Sequence, residues 1–374
     1  MRIEGIHHRS IGLTEDGRYV QVIDQTRLPH EVVFERLDSL SQAASAIKEM
    51  RVRGAPLIGA TAAYGIWLAL RDDPSDEMLD SANELLLSTR PTAFNLQWAL
   101  DRVSAKVRPL PPSLRADAAF HEAGLICEED VAINRAIGAF GLPFIKDAWE
   151  RLGRRRAVNV LTHCNAGWLA TVDFGTALSP VYLAHDEGIP VHVWVDETRP
   201  RLQGALTAWE LASHGVPCTV ITDNAGGLLM QKGQVDLCLV GTDRTTAAGD
   251  VCNKIGTYLK ALAAKDCNVP FLVALPHPTI DWTVFDGVSD IPIEDRDSDE
   301  VTNVHGLTSG GQLSSVRPFP GETNVVNPAF DITPAGLVTA LVTDRGVCSA
   351  TTEGLLSLFP ERQGRSSPKG EPRQ

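Results

Sequence analysis

The sequence predicts an α/β fold in which the C-terminal half is a doubly wound parallel sheet, and three observations carry that reading. From Val158 onward, five apolar runs of β type (158–161, 191–195, 218–221, 237–240 and 271–275) alternate with helical segments. Ahead of them, apolar residues recur at three and four in several stretches, the spacing of helices. Finally, each of the five runs ends in a turn rich in polar groups, which is the edge where open parallel sheets hold ligands.

Taken in order, residues 1 to 36 read as short strands, with the alternating Tyr19-Val20-Gln21-Val22-Ile23-Asp24 closed by Leu28-Pro29. A helix follows over 37–50, from the spacing of Leu37, Leu40, Ala43, Ala44, Ile47 and Met50. The turn Arg51-Val52-Arg53-Gly54-Ala55-Pro56 then feeds a second apolar helix over 58–70. Guanidinium groups and free N–H groups at a helix start suit a phosphate, although the same residues make an ordinary solvated turn. After Asp72-Asp73-Pro74, a helix to about Ser88 leads to Arg90, at the mouth of a helix that Pro91 would begin. Pro109, Pro111 and Pro112 break the chain before a long helix over 113–152. Within it, Glu128-Glu129-Asp130 reads as a solvated face or a cap rather than a metal site.

Residues 158–178 form the centre of the chain. A buried strand enters the turn Thr162-His163-Cys164-Asn165-Ala166-Gly167, and a helix carrying Trp168, Leu169, Val172 and Phe174 is expected after it. That unit places backbone N–H groups at a ligand. A thiol beside a helix N-terminus has a lowered pKa, so Cys164 reads as available for proton transfer; it reads equally as a small core residue. Asp243 leaves the apolar run 237–240 through a glycine turn. Burial there would raise its pKa and keep it protonated, as a general acid must be, while the other reading is an Asx-turn or a cap. Lys254 reads as a phosphate or hydroxyl anchor and Gln203 as a sugar-hydroxyl partner, each with a solvated surface role as the alternative. His163 and His277 read as acid/base groups or, in preference, as packed or hydrogen-bonded structural histidines. Residues 283–325 read as a mobile loop, Thr333 as a cap, Pro334 as a first helical residue and 361–374 as a disordered tail.

Composition removes several function classes. A net charge of −13 over 374 residues argues against a nucleic-acid surface. Seven cysteines without a C-x-x-C pair fit a reducing compartment and favour neither a zinc site nor a disulfide framework. Without an 18-residue apolar run or a secretion signal, the expected setting is the cytoplasm, away from membranes. No G-x-G-x-x-G follows a strand, no P-loop occurs, and no cluster has metal spacing, so no metal is expected. What remains is an acid (Asp243), a thiol (Cys164) and cations (Arg51, Arg53, Arg90, Lys254). That set suits cofactor-free proton or hydrogen transfer on a phosphorylated small molecule.

Five motifs together resemble the methylthioribose-1-phosphate isomerase family, which is related to the regulatory subunits of the translation-initiation guanine-nucleotide exchange factor. They are Arg51-Val52-Arg53-Gly54-Ala55-Pro56, Thr162-His163-Cys164-Asn165-Ala166-Gly167, Glu197-Thr198-Arg199-Pro200-Arg201-Leu202-Gln203-Gly204, Gly241-Thr242-Asp243-Arg244 and Asn253-Lys254-Ile255-Gly256-Thr257. The resemblance runs from about Ile3 to Thr352 and includes Asp24-Gln25 and Asn327-Pro328-Ala329-Phe330-Asp331. It implies an N-terminal, mostly helical domain with short strands (1–128), a C-terminal Rossmann-like domain (129–360) and a homodimer. It also implies a phosphorylated pentose substrate, a 5-methylthioribose 1-phosphate, converted from aldose to ketose. Cys164 and Asp243 would be catalytic, and Arg53, Gly54, Ala55, Arg90, Gln203, Asn253 and Lys254 would bind substrate. The chain departs from the family over 297–325, where a Ser/Gly insertion follows Asn303-Val304-His305-Gly306-Leu307. Rival readings are a sister isomerase of 5-deoxyribose 1-phosphate or ribose 1,5-bisphosphate, a non-catalytic exchange-factor subunit, and a nicotinamide dehydrogenase, which lacks its glycine fingerprint here.

Overall fold

Residues 2–90 and 93–363 are described by the computed structural model; Pro91 and the tail beyond Gln363 lie outside the described residues. The chain opens with a hairpin of β1 (Arg2–Ile3) and β2 (Ile6–His7). Next comes an antiparallel sheet of β3 (Ile11–Leu13), β4 (Val20–Ile23) and β5 (Phe34–Leu37). Ser39 caps α1 (Leu40–Lys48) by accepting the Gln42 N–H. Helices α2 (Ala55–Asp72), α3 (Asp76–Thr89), α4 (Phe94–Val107) and α5 (Pro112–Arg151) follow. In α2 every residue from Leu57 to Leu70 is buried. A helix apolar on all sides has to be surrounded, and α1, α3, α4 and α5 pack around it. It begins at Ala55, three residues before the expected start, because Gly54 (φ +94°) turns the chain and Pro56 fits the first turn. Helix α5 crosses residue 128 without a break; it packs on α2 and α4 and also on α6 and the large sheet.

The second half contains β6 (Val158–Thr162), α6 (Ser179–Asp186), β7 (Val191–Asp196), α7 (Gln203–His214), β8 (Cys218–Ile221), α8 (Ala225–Gln231) and β9 (Leu237–Val240). It continues through β10 (Arg244–Thr246), β11 (Val251–Lys254), α9 (Thr257–Asp266), β12 (Phe271–Leu275) and β13 (Ile280–Asp281). Then come α10 (Gly287–Asp290), α11 (Asp299–Thr302), the hairpin β14 (Val304–Leu307) and β15 (Leu313–Val316), and β16 (Phe330–Thr333). Strands β17 (Ala340–Thr343) and β18 (Gly346–Cys348) and helix α12 (Thr352–Leu358) close the described chain.

All five expected strands lie in one sheet of order β18-β17-β12-β9-β6-β7-β8, parallel except for β18. Ranked by sequence, its parallel strands run 3-2-1-4-5-6, the doubly wound order of Rossmann-like sheets. Side chains alternate between two cores, as a strand requires. Leu237 and Leu239 of β9 join the core with Ile145, Val181 and Leu211, whereas Cys238 and Val240 join the one with Ala261, Phe271 and Leu355. A smaller sheet, β13-β10-β11-β16, stands beside the large one and carries Asn253 and Lys254.

Four local expectations are corrected. The helix expected to carry Trp168 to Phe174 is absent: a single 3₁₀ turn, Trp168–Ala170, is followed by left-handed Phe174 and Gly175, and helix resumes at Ser179. The backbone of that stretch is held elsewhere, with Val172 N–H donating to Asp130 and Val172 C=O accepting from Ser10 N–H. In the acidic run, Glu128 and Glu129 meet Arg9 and Arg102 at the surface, but Asp130 is buried in mid-helix. The 283–325 stretch holds two short helices and a hairpin. Thr333 is the last residue of β16, and Pro334 precedes a 3₁₀ turn. No helix among the described residues is long and apolar enough to cross a membrane.

Candidate active site

Strands β6 and β9 are neighbours in the sheet although they are first and fourth in sequence rank. Chains leave such a pair in opposite directions, which opens a crevice beyond their carboxyl ends. Cys164 follows β6 and Asp243 follows β9, so both enter that crevice. They line one cleft of about 680 Å³ of open space together with Arg53, Gly54, Ala55, Arg90, Gln203, Asn253 and Lys254. The nine catalytic and substrate-binding residues that the resemblance implies are therefore brought to one place. Arg51, also named among the cations, is not: it pairs with Glu35 and Ser45 outside the cleft.

The floor is the start of α2. A β-carbon on Gly54 would lie 2.5 Å from the Ala170 backbone, so only glycine lets the helix start approach this turn. Arg53, just before it, is buried and donates to the Asn165 side chain and, at 3.4 Å, to the Asn165 carbonyl. Arg90 sits 3.4 Å from Glu294 at the end of α3. Lys254 is buried with its Nζ 4.8 Å from the Phe330 ring centre. Among the described residues, Arg53 Nε, Arg90 Nε and Gln203 Oε1 are buried without a hydrogen-bond partner. Two donors and an acceptor thus stand ready at a cleft with a helix N-terminus and three cations, an arrangement that suits a phosphorylated polyol.

Cys164 has a left-handed backbone (φ 67°), a conformation that costs a residue with a β-carbon about 1 kcal/mol. Two hydrogen bonds hold it there: its N–H donates to Thr198 Oγ1 at 2.9 Å, and its C=O accepts from Thr207 Oγ1 at 2.9 Å. With no helix beginning at this turn, the lowered thiol pKa expected from a helix N-terminus is not found. Burial pushes the Cys164 thiol up, opposed by the charges of Arg53 and Lys254. Burial also raises Asp243, opposed by Lys254, Arg90 and Arg53. The surroundings of Asp243 are therefore cationic as well as apolar. Lys254 is lowered by burial, while Cys164 and Asp243 act to raise it. A carboxyl group and a thiol whose burial favours their protonated forms, beside fixed cations, can move protons and stabilise developing negative charge.

His163 and His277 are structural, as read. His163 Nε2 donates to Ile255 C=O at 2.8 Å, and Nδ1 meets Asp196 at 2.8 Å with no exposed surface. His277 is bound to Asp344 at 3.0 Å. Among the described residues, His163, Asp196 and Asp223 are the cluster that could present ligand atoms to a metal. The Lys260 ammonium already lies 3.2 Å from Asp196, and Asp223 accepts the N–H groups of Thr198 and Arg199. The sequence reading missed the α7 residues Thr207 and Glu210, which support the Cys164 turn. Their signal in the sequence is two polar residues at helical spacing from Gln203, four and seven positions on, in an otherwise apolar segment.

The family model for the initiation factor 2 subunit family matches residues 51–350, which include every residue lining the cleft except Met50. The chain belongs to that family. It is 60% identical over 375 residues to a methylthioribose-1-phosphate isomerase of Rhodospirillum rubrum, covering 99% of this chain and 96% of that one. It is 59% identical over 364 residues to the protein of the same name in Gluconobacter oxydans, covering 97% and 99%. Among solved structures in this family, 5-methylthioribose 1-phosphate isomerase from Pyrococcus horikoshii superposes with a TM-score of 0.80 at 40% identity, over 95% of this chain and 96% of that one. The structure described as translation initiation factor eIF-2B subunit delta from A. fulgidus superposes with a TM-score of 0.76 at 38% identity, over 95% and 100%.

Proposed function

We propose that the chain is an aldose–ketose isomerase that converts 5-methylthioribose 1-phosphate to 5-methylthioribulose 1-phosphate without a cofactor. The observation that carries this reading is the meeting of Cys164 and Asp243, from adjacent strands, in one cleft with Arg53, Arg90 and Lys254. The names of relatives at about 60% identity support the substrate. Phosphate on the anomeric oxygen blocks spontaneous ring opening, so the ring oxygen must receive a proton as its bond to C1 breaks. In this reading, protonated Asp243 supplies it. The C2–H bond breaks, a C1–H bond forms, and the C2 hydroxyl proton leaves as the ketone appears. Carbon C1 is reduced by the hydrogen that C2 loses, so the reaction needs no external oxidant or reductant. Cys164 takes the C2 proton as its thiolate, the form that the Arg53 and Lys254 charges favour, or stabilises the charge that develops there. The α2 N-terminus with Arg53, Arg90 and Lys254 holds the phosphate, and Gln203 and Asn253 hold hydroxyls.

The test compares methylthioribose, deoxyribose and ribose 1-phosphates and ribose 1,5-bisphosphate with wild type, Cys164→Ser and Asp243→Asn. Asp243→Asn is expected to lower kcat by about 10²- to 10⁴-fold; near-normal turnover would remove Asp243 from its role. A preference for a substrate other than the methylthio sugar would favour a sister isomerase. Complete carry-over of C2 deuterium to C1 of the product excludes a freely exchanging base, and loss to solvent assigns proton transfer. The second reading, an exchange-factor subunit, is supported by the description of the A. fulgidus structure. Turnover of a pentose 1-phosphate by the purified chain would exclude it. A homodimer in the cytoplasm belongs to the same proposal; seven free thiols suit that compartment, and sedimentation tests the dimer.

A further inference from the structure

Helix α7 carries polar residues where a helix packed on a sheet usually carries apolar ones. Gln203, Thr207 and Glu210 recur at four and three, forming one stripe, and are only 6%, 0% and 0% exposed. Burial of Glu210 is costly and pushes its pKa up to about 8. Its hydrogen bonds show what that burial holds in place. Glu210 Oε1 accepts from Asn165 Nδ2 at 2.7 Å, and Oε2 accepts from Leu169 N–H at 3.2 Å. Thr207 Oγ1 accepts from the same Asn165 nitrogen at 3.0 Å and donates its one hydrogen to Cys164 C=O at 2.9 Å. Both amide hydrogens of Asn165 are thereby fixed on α7, so its Oδ1 faces the Arg53 guanidinium. A flipped amide would set donor against donor at Arg53 and acceptor against acceptor at Thr207 and Glu210. Gly167 leaves room for the carboxyl: a β-carbon there would lie 1.6 Å from Glu210 Oε1.

We propose that Glu210 is a positioning residue for the isomerase reaction, acting with Thr207 through Asn165 to aim the Arg53 guanidinium at the substrate phosphate while steadying the turn that bears Cys164. The inference rests on the reading of Arg53 as a phosphate ligand. A glutamine at this position accepts one N–H where the carboxyl group accepts two, so Glu210→Gln loosens either Asn165 or Leu169 with little change of shape.

The experiment is a double-mutant cycle. KM and kcat for 5-methylthioribose 1-phosphate are measured for wild type, Glu210→Gln, Arg53→Ala and the double variant, and for Thr207→Val alone and with Arg53→Ala. In the wild-type background, Glu210→Gln is expected to raise KM about 5- to 20-fold with a smaller fall in kcat, and to add less than about twofold once Arg53 is gone. The same cycle with Thr207→Val carries the test if Glu210→Gln does not fold. A KM within twofold of wild type, or the same factor with and without Arg53, overturns the proposal. Failure of the functional reading shows separately, as wild-type protein that does not turn over the sugar phosphate.

Discussion

Asp243 and Cys164 illustrate how much of a residue's chemistry depends on neighbours that are distant in sequence. The apolar run before Asp243 correctly announces a raised carboxyl pKa, because burial is the largest influence on it. The cations that oppose it, Lys254, Arg90 and Arg53, come from three other elements. Removing one of them has a definite sign: Lys254→Met withdraws a positive charge that favours the Asp243 carboxylate, so the Asp243 pKa rises. If protonated Asp243 is the working acid, the alkaline fall of kcat moves to higher pH in that variant, and kcat measured across pH at saturating substrate checks it. An unmoved limb assigns the titration to another group. For Cys164 the sequence suggested a lowered pKa from a helix that does not form; burial instead raises it.

At the scale of elements, α2 and α5 set the site. The α2 start was legible in Arg53-Gly54-Ala55-Pro56, but its contact was not. Gly54 is needed both for its positive φ and for the approach of Ala170. Gly54→Ala is therefore expected to cost roughly 2–3 kcal/mol of stability, read as a lowered midpoint in urea. Helix α5 was legible along its whole length, yet the acidic run within it was misjudged because Asp130 turns inward to meet the Val172 N–H. Burial raises Asp130 to about pKa 7. Between pH 4 and 7 the folded state thus binds a proton that the unfolded state has released, and stability falls as pH rises through that window. Asp130→Asn keeps an acceptor for Val172 and removes the titration. Its stability gain over wild type should grow from pH 4 to pH 7, to the order of a few kcal/mol, in paired thermal melts. A constant gap across that window would place the titration elsewhere.

Across the whole molecule, the order of the sheet makes the cleft. Six parallel strands in the order 3-2-1-4-5-6 place the ends of β6 and β9 side by side, and the helical layer around α2 closes the crevice with Arg53 and Arg90. A ligand held by both halves binds only the folded chain. A pentose 1-phosphate at about 100 times its Kd should therefore add about 2.7 kcal/mol of stability, seen as a raised Tm, whereas NAD at the same excess should leave Tm unchanged. A shift with NAD alone would revive the dehydrogenase reading. The sequence by itself determined five of the parallel strands, most helices and nine of the residues that line the cleft, because hydrophobic period and turn chemistry are local, and motif identity reports a whole site at once. Tertiary structure decided what period cannot express: the addition of β17 and β18 to the sheet, the loss of the helix after Cys164, and the inward turn of Asp130. It also revealed the α7 stripe that grips Asn165. Apart from β18, which folds back on β17, a backbone or polar group in each case finds its partner tens of residues away, and the free energy of that pairing outweighs local preference.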